Sequence, residues 1–172
     1  MRRRQEFARG PAAGALDNSI ARFDGTDGDT LQGSDYLSSD DNGGLANTGS
    51  GDWLQTGTGA IGYGVGAGDA VTQITSVTTG VTINKNCGEI TTFAQSAAAG
   101  GEVDFTVTNS EVAATDVVAV CIKTHTSTGT FIASVVTVAD GSFVIRLTNL
   151  HAATAGNALL VLNFVVIKGD AG

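Results

Sequence analysis

The chain has 172 residues, 24 of them glycine and only one proline; 15% are charged, and the formal net charge is −8 with a pI near 4.4. This length predicts one domain with appendages. The acidic balance excludes a general nucleic-acid binder, because neutralising phosphates requires a basic face. The low charge fraction predicts a surface that is covered by neighbours or is rich in Thr, Ser and Gly.

Residues 1–16 are predicted to be a basic N-terminal arm, because five of the nine basic residues lie within the first 22 positions. Such an asymmetry predicts a tail that docks on an acidic surface, and an aromatic side chain among arginines suits a partner's pocket. The alternative is a solvated terminus, since chain ends are loose unless they are tied down. The candidate attachment residues are Arg2, Arg3, Arg4, Phe7 and Arg9.

The same arm is a poor candidate for a targeting segment. Gln5 and Glu6 follow the arginines where a signal peptide would have an apolar stretch. No apolar run in the sequence approaches the roughly 18–20 residues that a membrane helix needs. We therefore expect neither export signal nor membrane insertion. Two cysteines, Cys87 and Cys121, are too few for a disulfide framework, and a bridge between them stays open.

Residues 17–68 are rich in Gly, Asp, Ser and Thr, with apolar residues only at intervals. A lone chain of this kind buries too little to offset its ordering entropy. It is therefore either disordered or wound as an extended stalk around identical copies, and the regular spacing of its apolar residues favours the stalk. Ile20 and Phe23 are then candidate subunit contacts. Residues 24–35 resemble one nonapeptide of a calcium-binding roll, but the pattern does not recur, so we expect turns and no metal.

Residues 69–172 read as a β-domain of short Val/Thr/Ile-rich runs separated by turn residues. Alternation is clear in several runs, and Asp140-Gly141 between two of them is a strong two-residue hairpin signal. The pattern predicts an all-β fold, an eight-stranded antiparallel jelly-roll-like sandwich. The predicted strands are 70–76, 80–84, 88–93, 102–109, 116–124, 130–138, 142–149 and 158–168.

Two runs, 117–122 and 159–167, are apolar at successive positions and so on both sides of a strand. Such a strand is either central in a two-layer packing or pressed against another subunit. About 100 residues in eight strands make a modest core, which contact with further copies would supplement. The candidate interface residues in the last strand are Leu160, Leu162, Phe164 and Val166.

No pattern in the sequence carries recognisable catalytic chemistry. His125 and His151 have no partner at metal-ligand spacing, and Glu102 and Asp104 alternate with core residues as a solvated face does. The Gly-rich run at 57–68 lacks the Lys-Ser/Thr of a phosphate loop. We expect no enzyme activity and no cofactor.

Several segments, in order, resemble the C-terminal domain of tailed-bacteriophage fibre and virion-decoration proteins. They include Ile61-Gly62-Tyr63-Gly64-Val65-Gly66-Ala67-Gly68, Thr79-Gly80-Val81-Thr82-Ile83-Asn84-Lys85, Phe105-Thr106-Val107-Thr108-Asn109-Ser110 and Leu162-Asn163-Phe164-Val165-Val166-Ile167-Lys168-Gly169. Upstream, Asp17-Asn18-Ser19-Ile20-Ala21-Arg22-Phe23 is similar to a connector of phage tail fibres. The resemblance covers nearly all of residues 17–169.

The resemblance implies a non-enzymatic homotrimer on the virion surface, made in the host cytoplasm. Its N-terminus would be anchored on a capsid or tail structural protein, and its β-domain would stabilise the particle or bind a host-surface glycan. The chain is far shorter than a typical tail fibre, which favours a short head fibre or decoration protein over a tail fibre or tail-tip adhesin.

Two other classes of function stay open. A monomeric carbohydrate-binding module would stack sugar rings on Trp53, Tyr36 or Tyr63, although only 6% of residues are aromatic. A cell-wall or polysaccharide hydrolase fits least, because it needs an acid–base pair that the sequence does not offer.

Overall fold

The computed structural model describes residues 61–170 in full, Thr58, and the backbone of three strands nearer the N-terminus. All the regular structure in these residues is β. The chain divides into two compact units, Met1–Ile61 and Gly62–Gly172. The expected boundaries at residues 16 and 68 remain predictions.

In the N-terminal unit, β1 (Ser19–Asp24), β2 (Thr30–Ser39) and β3 (Leu45–Asn47) form an antiparallel sheet in the order β1-β2-β3. The register shifts between Ser19 and Ala21, and Leu37 pairs with Asn47. Ile20 and Phe23 lie in β1, but their side chains are outside what the structure describes. The extended stalk remains a prediction.

The C-terminal unit contains eight described strands, as the sequence predicted. They are β4 (Gly68–Thr72), β5 (Val81–Thr82), β6 (Cys87–Thr91), β7 (Glu102–Thr108), β8 (Val117–His125), β9 (Phe131–Ala139), β10 (Ser142–Asn149) and β11 (Leu160–Ile167). They make two four-stranded sheets, in the orders β5-β7-β10-β9 and β4-β6-β11-β8. This arrangement is consistent with a β-sandwich.

The expectation of an entirely antiparallel fold was wrong at two edges, where β4 pairs with β6 and β5 pairs with β7 in parallel. The reason is the path of the chain. From β4 to β9 the chain changes sheet and reverses direction after every strand. As a result, β4, β6 and β8 run in one direction within their sheet, and β5, β7 and β9 share one direction within theirs. Only β10 and β11, which follow the hairpin at Asp140-Gly141, run the other way.

That hairpin therefore sets the topology. Ser142 pairs with Ala139 across a two-residue turn, and Gly141 has φ of 76°, a conformation that glycine adopts without strain. Beyond it, β10 inserts between β7 and β9, and β11 inserts between β6 and β8. The two last strands in the chain are thus the ones that complete the middle of both sheets.

The core lies between the sheets and follows the alternation that the sequence shows. Every second residue of β7, β10 and β11 faces inward, and Phe143 meets Phe164 across the core with ring centroids 5.3 Å apart. Completely buried members include Ile90, Val107, Ile145, Leu147, Leu160, Leu162 and Val166.

Strand β4, the first of the C-terminal unit, ends earlier than the sequence predicted, at Thr72 rather than at residue 76. Gln73 is buried, and its side-chain Nε2 donates to the carbonyls of Val77 and Thr79, 2.6 Å from the latter. These bonds fold 73–79 into a turn, because the amide satisfies backbone groups that a continued strand would pair elsewhere.

Candidate functional site

The two sheets present outer faces of different chemistry. On the sheet β5-β7-β10-β9, the outward side chain of Arg146 bridges two carboxylates of the neighbouring strand, Glu102 at 2.9 Å and Asp104 at 2.8 Å. The hydrogen bond from Arg146 lowers the pKa of Asp104 below its usual 3.8. Ile132 and Val136 are exposed on the edge strand β9, but threonines surround this charged cluster. The face is mostly polar.

On the sheet β4-β6-β11-β8 the outward side chains are mainly small and apolar. The charged pair on this face, Lys123 and Glu89, bridges across β11 toward one end of the sheet. Toward the other end the side chains form one patch, called here the apolar face. Its members are Cys87, Val117, Ala119, Cys121, Val165 and Ile167.

Exposure is substantial on this apolar face. Val117 is 59% exposed and Ile167 is 56% exposed, and they are paired across β8 and β11. Isolated exposed apolar residues are ordinary on protein surfaces, and contiguous patches mark interaction sites when they exceed a few hundred Å². The arrangement can bury apolar area against another surface.

The sequence-predicted interface residues of β11 lie on the other side of that strand. Leu160, Leu162 and Val166 are fully buried and Phe164 is 3% exposed, all in the core of the same chain. Their burial is accounted for without a second subunit. The residues between them, Val165 and Ile167, are the ones that reach the surface.

The predicted attachment residues Arg2, Arg3, Arg4, Phe7 and Arg9 lie outside the described residues, as does Trp53. Tyr36 falls in β2, of which only the backbone is described. Tyr63 is 45% exposed, and its hydroxyl donates to the Val166 carbonyl at 2.6 Å. That bond fixes the tyrosine beside the end of β11.

The end of the C-terminal unit at which its chain begins is called here the near end. It holds segments 62–67, 83–86, 109–116 and 168–170. There Asp116 is 1% exposed at its side chain and accepts from Lys168 at 2.8 Å and from the backbone N–H groups of Ala113 and Gly169. These donors, led by Ala113, lower the pKa of Asp116 to about 2. The carboxylate therefore ties the 109–116 segment to the end of β11.

Beside this tie is a shallow polar notch of about 210 Å³, lined by Gly66, Ala67, Asn84, Lys85, Asn86 and Glu111. Lys85 donates to the Gly66 carbonyl across it at 3.2 Å. The notch is small for a drug-sized ligand, which usually occupies a few hundred Å³ or more and mostly apolar walls.

The far end holds segments 92–101, 126–130 and 150–159, which are joined by one buried side chain, Asn149. Its Nδ2 donates to the carbonyls of Ala97, Ala98 and Thr154, and its Oδ1 accepts from the backbone N–H groups of Thr130 and His151. Sequence reasoning missed this residue. The available signal was its position: it continues the inward series Phe143, Ile145, Leu147, where a polar residue needs partners.

The remaining chemical candidates do not come together. Cys87 and Cys121 are free thiols in the structure. Both face outward with β11 between them, about 10 Å apart by strand spacing, so they are too distant for a bridge within one chain. His125 is the last residue of β8 and His151 lies in the far-end segment 150–159, and no group of three metal-ligating side chains gathers within the described residues.

None of the described residues forms a helix of the length and hydrophobicity that crossing a bilayer requires. Comparison with family models found no match, and neither curated proteins nor solved structures gave a significant one.

Proposed function

We propose that the chain is a non-enzymatic structural protein of a bacteriophage virion, a short homotrimeric fibre or decoration protein. Its N-terminal arm anchors it on the capsid, and its C-terminal unit is exposed to stabilise the particle or to contact the host surface. The observation that carries this proposal is the apolar face on a β-unit that is already folded around its own core.

This observation supports self-association in a specific way. The unit buries a complete inner layer of apolar side chains, so the outer layer on β8 and β11 is surplus to its own fold. Surplus apolar area is favourable to bury, at roughly 25 cal/mol per Å² removed from water. In an assembly, burial of that area between copies would contribute to the free energy of association.

The strand order supports the proposal of a jelly-roll-like architecture. If the two parallel edge strands are set aside, β6-β11-β8 and β7-β10-β9 remain. A jelly roll has this order, because its chain folds back on itself and the doubled chain is then rolled into two layers. The first strand pairs with the last (β6 with β11), and the second pairs with the next-to-last (β7 with β10). Because such rolls host many functions, the assignment to a virion depends on the sequence resemblance.

Light scattering coupled to size exclusion tests the stoichiometry. The proposal expects about three times 17.3 kDa. A monomer at micromolar concentration would contradict the trimer and favour a monomeric binding module, which a glycan array would then test.

Attachment is tested separately on purified phage particles that lack the protein. The full chain should decorate them, and a chain without residues 1–16 should not, while keeping the full chain's oligomeric state. A matched variant with Arg2, Arg3, Arg4 and Arg9 changed to Gln isolates the role of charge. Full decoration by the shortened chain would contradict anchoring through the arm.

A further inference from the structure

We propose that the apolar face is where a second copy of this chain packs, so that the C-terminal units associate through the outer surface of β8 and β11. The inference rests on the proposed self-association but assigns it to a surface different from the one the sequence predicted. Three observations favour a copy of the chain as the occupant.

The first is how the unit treats its four sheet edges. Strand β5 has two residues and β4 has five, whereas β8 and β9 have nine residues and one register shift each. Short or bulged edges prevent unwanted pairing. On β8 the shift lies beside Lys123, and the regular run 117–121 contains only apolar residues, whereas the regular run 131–135 of β9 includes Ser134. An edge left open along this length is protected when another chain covers it.

The second is charge. The chain carries a net charge of −8, so copies repel one another over most of their surfaces. On the outer surface of the sheet β4-β6-β11-β8, Lys123 and Glu89 neutralise each other, and the apolar face beside them is uncharged. Two copies therefore meet there with the least electrostatic cost. The opposite sheet would bring the cluster of Arg146 with its two carboxylates into the contact.

The third is size. Three strands about 4.8 Å apart, over about five residues at 3.3 Å each, give a patch on the order of 250 Å². A separate partner protein usually needs about 800 Å² on each side for a stable complex. A patch this small suits copies that are held together elsewhere as well, because tethering raises the local concentration of the second contact.

The test compares two substitutions of the same kind on opposite faces. Val165 in β11 and Val144 in β10 are both half-buried, outward-facing and central in their sheets. In the full chain, Val165→Glu should weaken association at least ~tenfold, so that in a dilution series the mass from light scattering falls toward 17.3 kDa at a higher protein concentration than in the wild type. Val144→Glu should leave the mass of the wild type unchanged.

Far-ultraviolet circular dichroism and the melting midpoint report whether each variant is folded. If Val165→Glu fails to fold, a second pair replaces it: Ala119→Lys on edge strand β8 and Ala139→Lys on edge strand β9, both exposed positions. A folded Val165→Glu or Ala119→Lys chain that dissociates over the same concentration range as the wild type would overturn the proposed face while leaving the trimer intact. A monomeric wild-type chain would overturn both proposals.

Cys121 provides an independent readout, because its thiol is exposed in the single chain and lies on the apolar face. Labelling by a maleimide should be slow in the assembled wild type and at least ~tenfold faster in Val165→Glu, with Cys121→Ser assigning the signal. Equal labelling rates in both proteins would contradict coverage of this face.

Discussion

The two central strands that follow the hairpin, β10 and β11, have similar inner sides but different outer sides. Inward, both present large apolar residues at every second position. Outward, β10 presents Val144 and the charged Arg146, whereas β11 presents Val165, Ile167 and the uncharged, exposed Asn163. Since both sheets fold against the same core, folding alone does not require this difference. We propose that a second copy of the chain covers the apolar outer side of β11.

The largest expected effect tests the inner side of β11. Phe164→Ala removes a ring that packs on Phe143 and should lower the free energy of unfolding by about 3–5 kcal/mol. Val165→Ala, on the outer side, should cost about 1 kcal/mol or less. Urea unfolding at one fixed protein concentration measures both. If the two variants were equally destabilised, the inward and outward sides of this strand would not be distinct.

A second prediction concerns the loops that hold the two sheets together at the far end. Asn149→Ala leaves buried carbonyls and N–H groups without partners and should lower the free energy of unfolding by about 1–3 kcal/mol. Asn157→Ala is the matched control, because Asn157 is exposed and accepts one bond from Thr128. The same urea experiment should rank the control below Asn149→Ala, and the reverse order would contradict the role of Asn149.

A third prediction uses acid to loosen the near end, where Asp116 ties β11 to the 109–116 segment. Its pKa is about 2 in the folded chain and near 3.8 when unfolded, so its stabilisation is present above pH 4 and is lost as pH falls through 2. Asp116→Asn should lower the melting midpoint at pH 7 and flatten its decline between pH 4 and 2. Melting curves across this range measure it, and an unchanged acid profile would contradict the prediction.

The smallest effect is expected on the polar face. Arg146→Met should let the pKa of Asp104 rise toward 3.8, which a carboxyl titration by NMR detects. The melting midpoint should change little, because exposed ion pairs are screened by solvent. Lys123→Met on the other sheet is the control and should leave the titration of Asp104 unchanged. If the pKa of Asp104 were the same in Arg146→Met as in the wild type, the cluster would not form in solution.

The sequence predicted the strands of the C-terminal unit well, because alternation and the Asp140-Gly141 turn are local signals. It could not predict the two parallel edges, since alternation reveals which side of a strand a residue takes but not the direction of its neighbour. For β11, the spacing correctly grouped Leu160, Leu162, Phe164 and Val166 on one side. With both sides apolar, nothing local distinguished the core from the surface, and the candidate interface was placed on the side that the structure buries.

The position of β10 and β11 has a consequence for how the protein is made. On the ribosome, β4 to β9 emerge first, yet in both sheets they lack the antiparallel neighbours that come last. Until residue 167 is available, β8 has no partner in its sheet, and its apolar residues are exposed on both sides. Long-range pairing of this kind slows folding and exposes unfinished chains to aggregation. The newly made chain is therefore at risk of aggregation until β11 has been synthesised and has paired with β8. A stop codon before β11 should yield insoluble protein.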